Sequence, residues 1–217
     1  MLSNQSKTAG RRLALGLVFA LFPISVWAQS EAGPEPVIRV EEDWQLVLNE
    51  PGTNMQSPQF HTIMSPAPNL DGYYAQVLWN YLELLWYAPG GLQLQGWNGG
   101  QLTKYRTLKT APLSTVAETI TWTQILEING GILYFKIDNG QSITWGTFGR
   151  DMWLDQEGIV TNLNQYSTAT SADNSCITYG SNRVNSLVIT QVRRYGTSGL
   201  LSTDSTPKVV YQLPEEE

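Results

Sequence analysis

Apolar side chains recur at every second position in short runs, and glycine or proline interrupts those runs throughout the chain. Trp44, Leu46 and Leu48 share one face of an extended segment, as do Tyr73, Ala75, Val77 and Trp79. In 120–128 the same parity collects Ile120, Trp122, Leu126 and Ile128, with Gln124 as the exception. In 133–137 it collects Leu133, Phe135 and Ile137. A period of two marks strands with one packed and one solvated face. The continuous run Leu187-Val188-Ile189 suits a central strand near 184–194. Strands this short and this closely spaced point to an all-β fold, a single antiparallel β-sandwich of jelly-roll-like type. Only 79–87 also fits a helical spacing, through Trp79, Leu82, Leu85 and Trp86, before Pro89-Gly90-Gly91 ends it.

Two Asn-Gly-Gly triplets promise hairpins. For Asn129-Gly130-Gly131, a two-residue loop of Asn129 and Gly130 would oppose Leu126 to Leu133 and Trp122 to Ile137. A three-residue loop would move every side chain to the wrong face, so the shorter loop is expected. At Asn98-Gly99-Gly100 the flanks favour the longer loop. It would gather Gln93, Gln95, Trp97, Gln101, Thr103, Tyr105 and Thr107 on one polar, aromatic face, with Leu92, Leu94, Leu102 and Leu108 on the other. Lys104 and Arg106 then fall on the inner side, which they can occupy only by reaching outward at a sheet edge.

The N-terminus adds location. Arg11 and Arg12 precede an apolar run from Leu13 to Val26, which closes on Val26-Trp27-Ala28. This pattern predicts a secretory signal peptide over 1–28, cut after Ala28, and a secreted or periplasmic protein. The run is shorter than the roughly 20 residues that span a bilayer, so the mature chain is expected to carry no membrane span. The paired arginines leave the general and twin-arginine export routes open. A linker over 29–36, a sandwich domain over 37–213 and an acidic tail over 214–217 follow. The leader holds Lys7, Arg11 and Arg12 of the 13 basic side chains, so the mature chain would keep ten against 19 acidic ones. Such an acidic surface repels phosphate backbones and argues against nucleic acid as a partner. Cys176 is the only cysteine, which excludes an intrachain disulfide and suggests a buried thiol or an intermolecular bridge.

Two constellations are candidates for function. The first is the face of Gln93, Gln95, Trp97, Gln101 and Tyr105. Flat rings stack on the CH faces of sugars while amides satisfy hydroxyls, so a polysaccharide or cell-envelope glycan is the partner this face suits. The bland reading is a solvated face whose aromatic–Gln pairs stabilise the strands. The second lies in Asp151-Met152-Trp153-Leu154-Asp155-Gln156-Glu157, where Asp151, Trp153, Asp155 and Glu157 point one way if extended. Alternating carboxylates beside a tryptophan loosely resemble the acidic strand of laminarinase-like glycoside hydrolases, although that pattern begins with Glu and spaces its acids differently. The resemblance would make Asp151, Asp155 and Glu157 candidate catalytic residues of a hydrolase or lyase. The same oxygens could instead hold Ca²⁺, or simply be solvated. No other cofactor is suggested.

His61 is the only histidine, and no Gly-x-Ser-x-Gly elbow accompanies it. With Cys176 far away in sequence, a zinc site is a poor reading, and a strand residue is the simpler one. Trp145-Gly146-Thr147-Phe148-Gly149 lacks the lysine of a phosphate loop and reads as a tight turn between strands.

Glu42-Asp43-Trp44-Gln45-Leu46-Val47, Asn69-Leu70-Asp71-Gly72, Pro89-Gly90-Gly91-Leu92-Gln93-Leu94-Gln95, Thr121-Trp122-Thr123-Gln124 and Asn182-Arg183-Val184-Asn185-Ser186-Leu187-Val188 resemble segments of uncharacterised secreted proteins of planctomycete-type bacteria. The resemblance covers about Glu42 to Val210 and implies export and a single all-β domain, with no activity attached. A more distant likeness to concanavalin A-like sandwiches is architectural and transfers no residues. The functional expectation is a non-enzymatic glycan-binding or surface-associated module, with a hydrolase or lyase, or a structural envelope component, as alternatives.

Overall fold

The computed structural model describes residues 33–49, 58–81, 91–109, 111–113 and 117–214. The leader, the competing segment 82–87 and the tail beyond Pro214 lie outside the described residues. Among those described, the strands are β1 (Arg39–Leu48), β2 (Gln59–Met64), β3 (Tyr73–Trp79), β4 (Gly91–Asn98), β5 (Gln101–Lys109), β6 (Thr119–Asn129), β7 (Ile132–Ser142), β8 (Gly146–Phe148) and β9 (Met152–Glu157). A short helix α1 (Thr168–Asn174) follows, then β10 (Cys176–Tyr179), β11 (Val184–Gly196), β12 (Gly199–Asp204) and β13 (Lys208–Gln212).

The strands form two antiparallel sheets packed as a sandwich. One runs β12-β11-β1-β6-β7-β8, with β13 also paired to β11 and β9 to β7. The other runs β10-β2-β3-β4-β5. The alternation seen in the sequence becomes the core: Trp44, Leu46, Ala75, Val77, Trp79, Ile120, Trp122, Leu126, Leu133, Phe135 and Ile137 are all buried. Gln124, the exception in its run, also points inward and is fully buried; its amide donates to the Thr62 hydroxyl. That bond offsets part of the cost of burying the amide, whose Oε1 has no hydrogen-bond partner among the described residues.

Both Asn-Gly-Gly triplets make the same turn. Gly99 and Gly100 have φ of 55° and 74°, and Gly130 and Gly131 have 59° and 80°. Two consecutive positive φ values define the type I′ hairpin, and glycine meets them without steric cost. The asparagines are therefore the last strand residues: Asn98 pairs with Gln101 and Asn129 with Ile132. The second hairpin sits two residues from the expected register, with Leu126 opposite Phe135 and Gln124 opposite Ile137. A shift of two preserves parity, so the expected core face stands. Near Trp122 the register breaks, since Thr121 pairs with Gln141 and Thr123 with Asp138. Asn139 and Gly140 form this bulge, and Asn139 takes φ of 53°.

The first hairpin departs more. Its two-residue turn opposes Trp97 to Leu102, but beyond a bulge Gly96 opposes Lys104 and Gln95 opposes Tyr105. Thr103 is the extra residue, and its hydroxyl donates to the Gly96 carbonyl at 2.9 Å. The bulge restores, from Lys104 onward, the facing that the longer loop would have given. Only Gln101 and Leu102, between turn and bulge, are reversed. Lys104 and Arg106 fall on the inner side of the edge strand β5 and both reach outward. The Lys104 ammonium meets the Asp155 carboxylate at 2.7 Å, and the Arg106 guanidinium lies over the Trp153 ring at 6.0 Å. Both contacts join β5 to β9 of the opposite sheet.

Two glycines fix how β8 and β9 fold onto β7. A Cβ on Gly140 would lie 2.4 Å from the Phe148 ring, so that ring covers the bare backbone of β7. Gly149 has φ of 111°, and a Cβ there would meet the Asp138 Cα and the Ile137 carbonyl at 2.9 Å. The motif 145–149 is thus the end of a turn, the strand β8 and a close backbone crossing. Gly149→Ala combines a disfavoured φ with a backbone clash. It is expected to cost about 2–3 kcal/mol, read as a lowered urea midpoint.

Within the segment expected as a linker, Glu35 is bonded to the domain. Glu35 accepts hydrogen bonds from the Thr197 hydroxyl and the Ser198 amide, each at 2.7 Å, at the β11–β12 turn. Hydrogen bonds from Ser198 and Thr197 hold its carboxyl down at about 2.

Candidate functional site

The outer face of β3, β4 and β5 carries most of the sequence-predicted binding residues. Gln93, Gln95 and Trp97 project together from β4, and after the bulge Tyr105 and Thr107 join them from β5. Gln101 does not: it pairs with Asn98 on the other side of the bulge, and Leu102 takes the place on this face. The cause is the two-residue Gly99-Gly100 turn, which sets Gln101 opposite Asn98; the bulge at Thr103 restores the expected facing only from Lys104 onward.

The polar atoms of this face form a directed chain. The Trp97 indole N–H donates to Gln95 Oε1 at 3.0 Å. The Gln95 amide donates to Gln93 Oε1, and the Gln93 amide donates to Thr107 Oγ1 at 2.9 Å. Gln93 and Gln95 are buried, so the chain fixes their amides instead of leaving them free in solvent. Aligned hydrogen bonds polarise one another, and this relay ends on the exposed Thr107 hydroxyl, whose own O–H is left to donate outward.

Rings border the relay. Tyr74, cross-strand to Trp97, stacks parallel to it, with centroids 6.2 Å apart and planes 3° apart. Tyr105 is 63% exposed. Tyr74 was not among the expected residues, although it alternates with the core positions Tyr73 and Ala75 and so had to lie on this face.

The three acids are not gathered around one cleft. Asp151 precedes β9 and lines a cleft between the sheets. Asp155 is engaged by Lys104. Glu157 is exposed at the end of β9, opposite Ile132. Among the described residues no three His, Cys, Asp or Glu side chains cluster in a way that could hold a metal ion.

Folding does unite His61 and Cys176, which are cross-strand partners of β2 and β10. The thiol sulfur lies 3.7 Å from Nε2 and 3.9 Å from Nδ1. Nε2 also lies 3.1 Å from the Asn174 carbonyl, the contact of a donated N–H. Cys176 is exposed, contrary to the buried thiol expected. Its position on the outermost strand of the five-stranded sheet explains this. Desolvation raises the thiol pKa and lowers that of the imidazole. Both shifts favour the neutral forms, so the thiolate is not promoted.

The chain matches no family model, no curated protein and no solved structure. No helix among the described residues is long and apolar enough to cross a membrane.

Proposed function

We propose that this protein is an exported, non-enzymatic β-sandwich module that binds glycans on the outer face of β3, β4 and β5. The leader and the resemblance to secreted proteins support a role outside the cytoplasm. The observation that carries the reading is the hydrogen-bonded relay from Trp97 to Thr107 beside the parallel rings of Tyr74 and Trp97. Sugar recognition needs flat apolar surface for CH groups and fixed donors for hydroxyls, and this face offers both without mobile charge. A strand face serving stability alone needs no relay ending on an exposed hydroxyl.

Affinity electrophoresis of the purified chain through gels containing a panel of neutral polysaccharides tests the reading. Retardation by at least one polymer is expected. Trp97→Ala and Tyr105→Ala should each weaken it about tenfold, since loss of an aromatic stacking contact is worth about 1–1.5 kcal/mol. Unchanged mobility in every gel, or retardation that survives both substitutions, would remove it.

A further inference from the structure

The strands β4 and β5 carry a second feature on their inner side. Leu94 and Leu108 face Trp145, Phe148 and Met152 across a cleft of about 330 Å³ between the two sheets. That volume lies at the lower end of the range of small-molecule sites. Its wall is built rigidly. Phe148 rests on Gly140, and Trp145 meets it edge-on with centroids 5.5 Å apart. The Trp145 indole N–H is held by the Ala111 carbonyl. Met152 is tied back to Gly149 by a backbone hydrogen bond of 3.0 Å.

Two cations line this apolar cleft, Arg106 from the five-stranded sheet and Arg150 from the turn before β9. Neither makes an ion pair among the described residues, as is also true of Arg183 and Arg194; Arg106 lies over the Trp153 ring. The chain has a net charge of −6, so a cleft lined by two arginines runs against its overall balance. Asp151 contributes one opposing charge to the lining. An apolar floor lined by Arg150 and by Arg106, whose guanidinium also lies over the Trp153 ring, complements a ring-bearing body with a carboxylate at its edge, since guanidinium forks match that group's geometry.

We infer that the cleft is a binding site for a small organic anion, a carboxylate carried on one or two rings. It is separate from the proposed glycan face, which lies on the other side of the same strands. Binding of 1-naphthoate and of its neutral counterpart 1-naphthamide to the full chain, measured by calorimetry, tests the assignment. Naphthoate should bind at least tenfold more tightly than naphthamide. Arg106→Gln and Arg150→Gln should each weaken naphthoate about tenfold, with Arg150→Gln leaving the melting temperature unchanged, and Asp151→Asn should strengthen it severalfold. Trp97→Ala should leave naphthoate affinity unchanged, which separates this site from the glycan face. Equal affinity for acid and amide, no binding of either at millimolar concentration, or indifference to both arginine substitutions would overturn the inference. A large loss in Trp97→Ala would do the same.

Discussion

Trp79→Ala is expected to destabilise the protein by about 4–5 kcal/mol, near the top of the range for single core truncations. Trp79 stacks on Phe60 with centroids 5.6 Å apart and planes 3° apart. It leans on Trp122 at 4.2 Å and meets Phe148 edge-on at 6.1 Å. It therefore contacts rings from both sheets, and truncation opens a cavity at their junction that surrounding backbone cannot collapse to fill. Its indole N–H also donates to the Thr62 hydroxyl at 2.7 Å, the same oxygen that Gln124 reaches. Trp79→Phe keeps most of the ring and loses this bond, so about 1–2 kcal/mol is expected. Urea unfolding of the three proteins checks the order. Equal midpoints for wild type and Trp79→Ala would mean that the two sheets do not meet at this residue.

The second large effect is pH dependence from Glu42. Its side chain is fully buried on the core side of β1, where it accepts hydrogen bonds from the Trp44 indole at 2.9 Å and from the Tyr166 hydroxyl. Burial pushes its carboxyl up to about 7, and contacts with Ser171, Tyr166 and Trp44 offset only part of that rise. Here the folded pKa lies above the ordinary value of 4.5, so the native state holds its proton over a range where the unfolded chain has lost it. Stability from this group is complete below about pH 4.5, falls as pH rises towards 7, and is flat above. The full fall amounts to about 3 kcal/mol. Glu42→Gln cannot ionise and should remove this slope, so the variant gains on the wild type as pH rises from 5 to 7.5. Paired urea titrations at those pH values measure the difference. A constant gap between the two proteins would show that Glu42 carries the same charge at both.

Much of the fold was legible because facing in a strand has a period of two. Tyr73, Ala75, Val77 and Trp79 could be assigned to the core without knowing which strand lay beside them. Gln124 shows the limit: its chemistry argued for solvent, but strand parity kept it inward, where its amide N–H reaches Thr62 and its Oε1 is left without a hydrogen bond among the described residues. Hairpin details were less legible. Asn-Gly-Gly permits either an Asn-Gly or a Gly-Gly loop, and the choice moves the register by two without changing any face. Bulges leave even less trace. Nothing in the side chain of Thr103 announces an extra residue, yet it brings Tyr105 and Thr107 back beside Gln95 and Gln93, while the two-residue turn before it leaves Gln101 facing away from Trp97.

The site was legible where it followed one strand and obscure where it depended on neighbours. Gln93, Gln95 and Trp97 alternate along β4 and were found. Tyr74 needed the pairing of β3 with β4. His61 and Cys176 lie far apart in sequence, and only the pairing of β2 with β10 brings them together. The cleft joins Leu94, Arg106 and Trp145 from three separate segments, so no local pattern could expose it. Its one sequence signal was the glycine pair of the motif 145–149, which first read as a turn alone.

The role of the outer face of β3, β4 and β5 rests most directly on whether Trp97 feels a bound sugar. Amide-correlation spectra of the ¹⁵N-labelled protein resolve each tryptophan indole N–H separately, and the Trp97 signal can be assigned from a Trp97→Phe variant. On titration with an oligosaccharide of the retarding polymer, the Trp97 indole signal should move progressively while those of the buried Trp44, Trp79 and Trp122 stay in place. A titration in which the sugar binds and Trp97 does not respond would place recognition elsewhere and contradict the proposal.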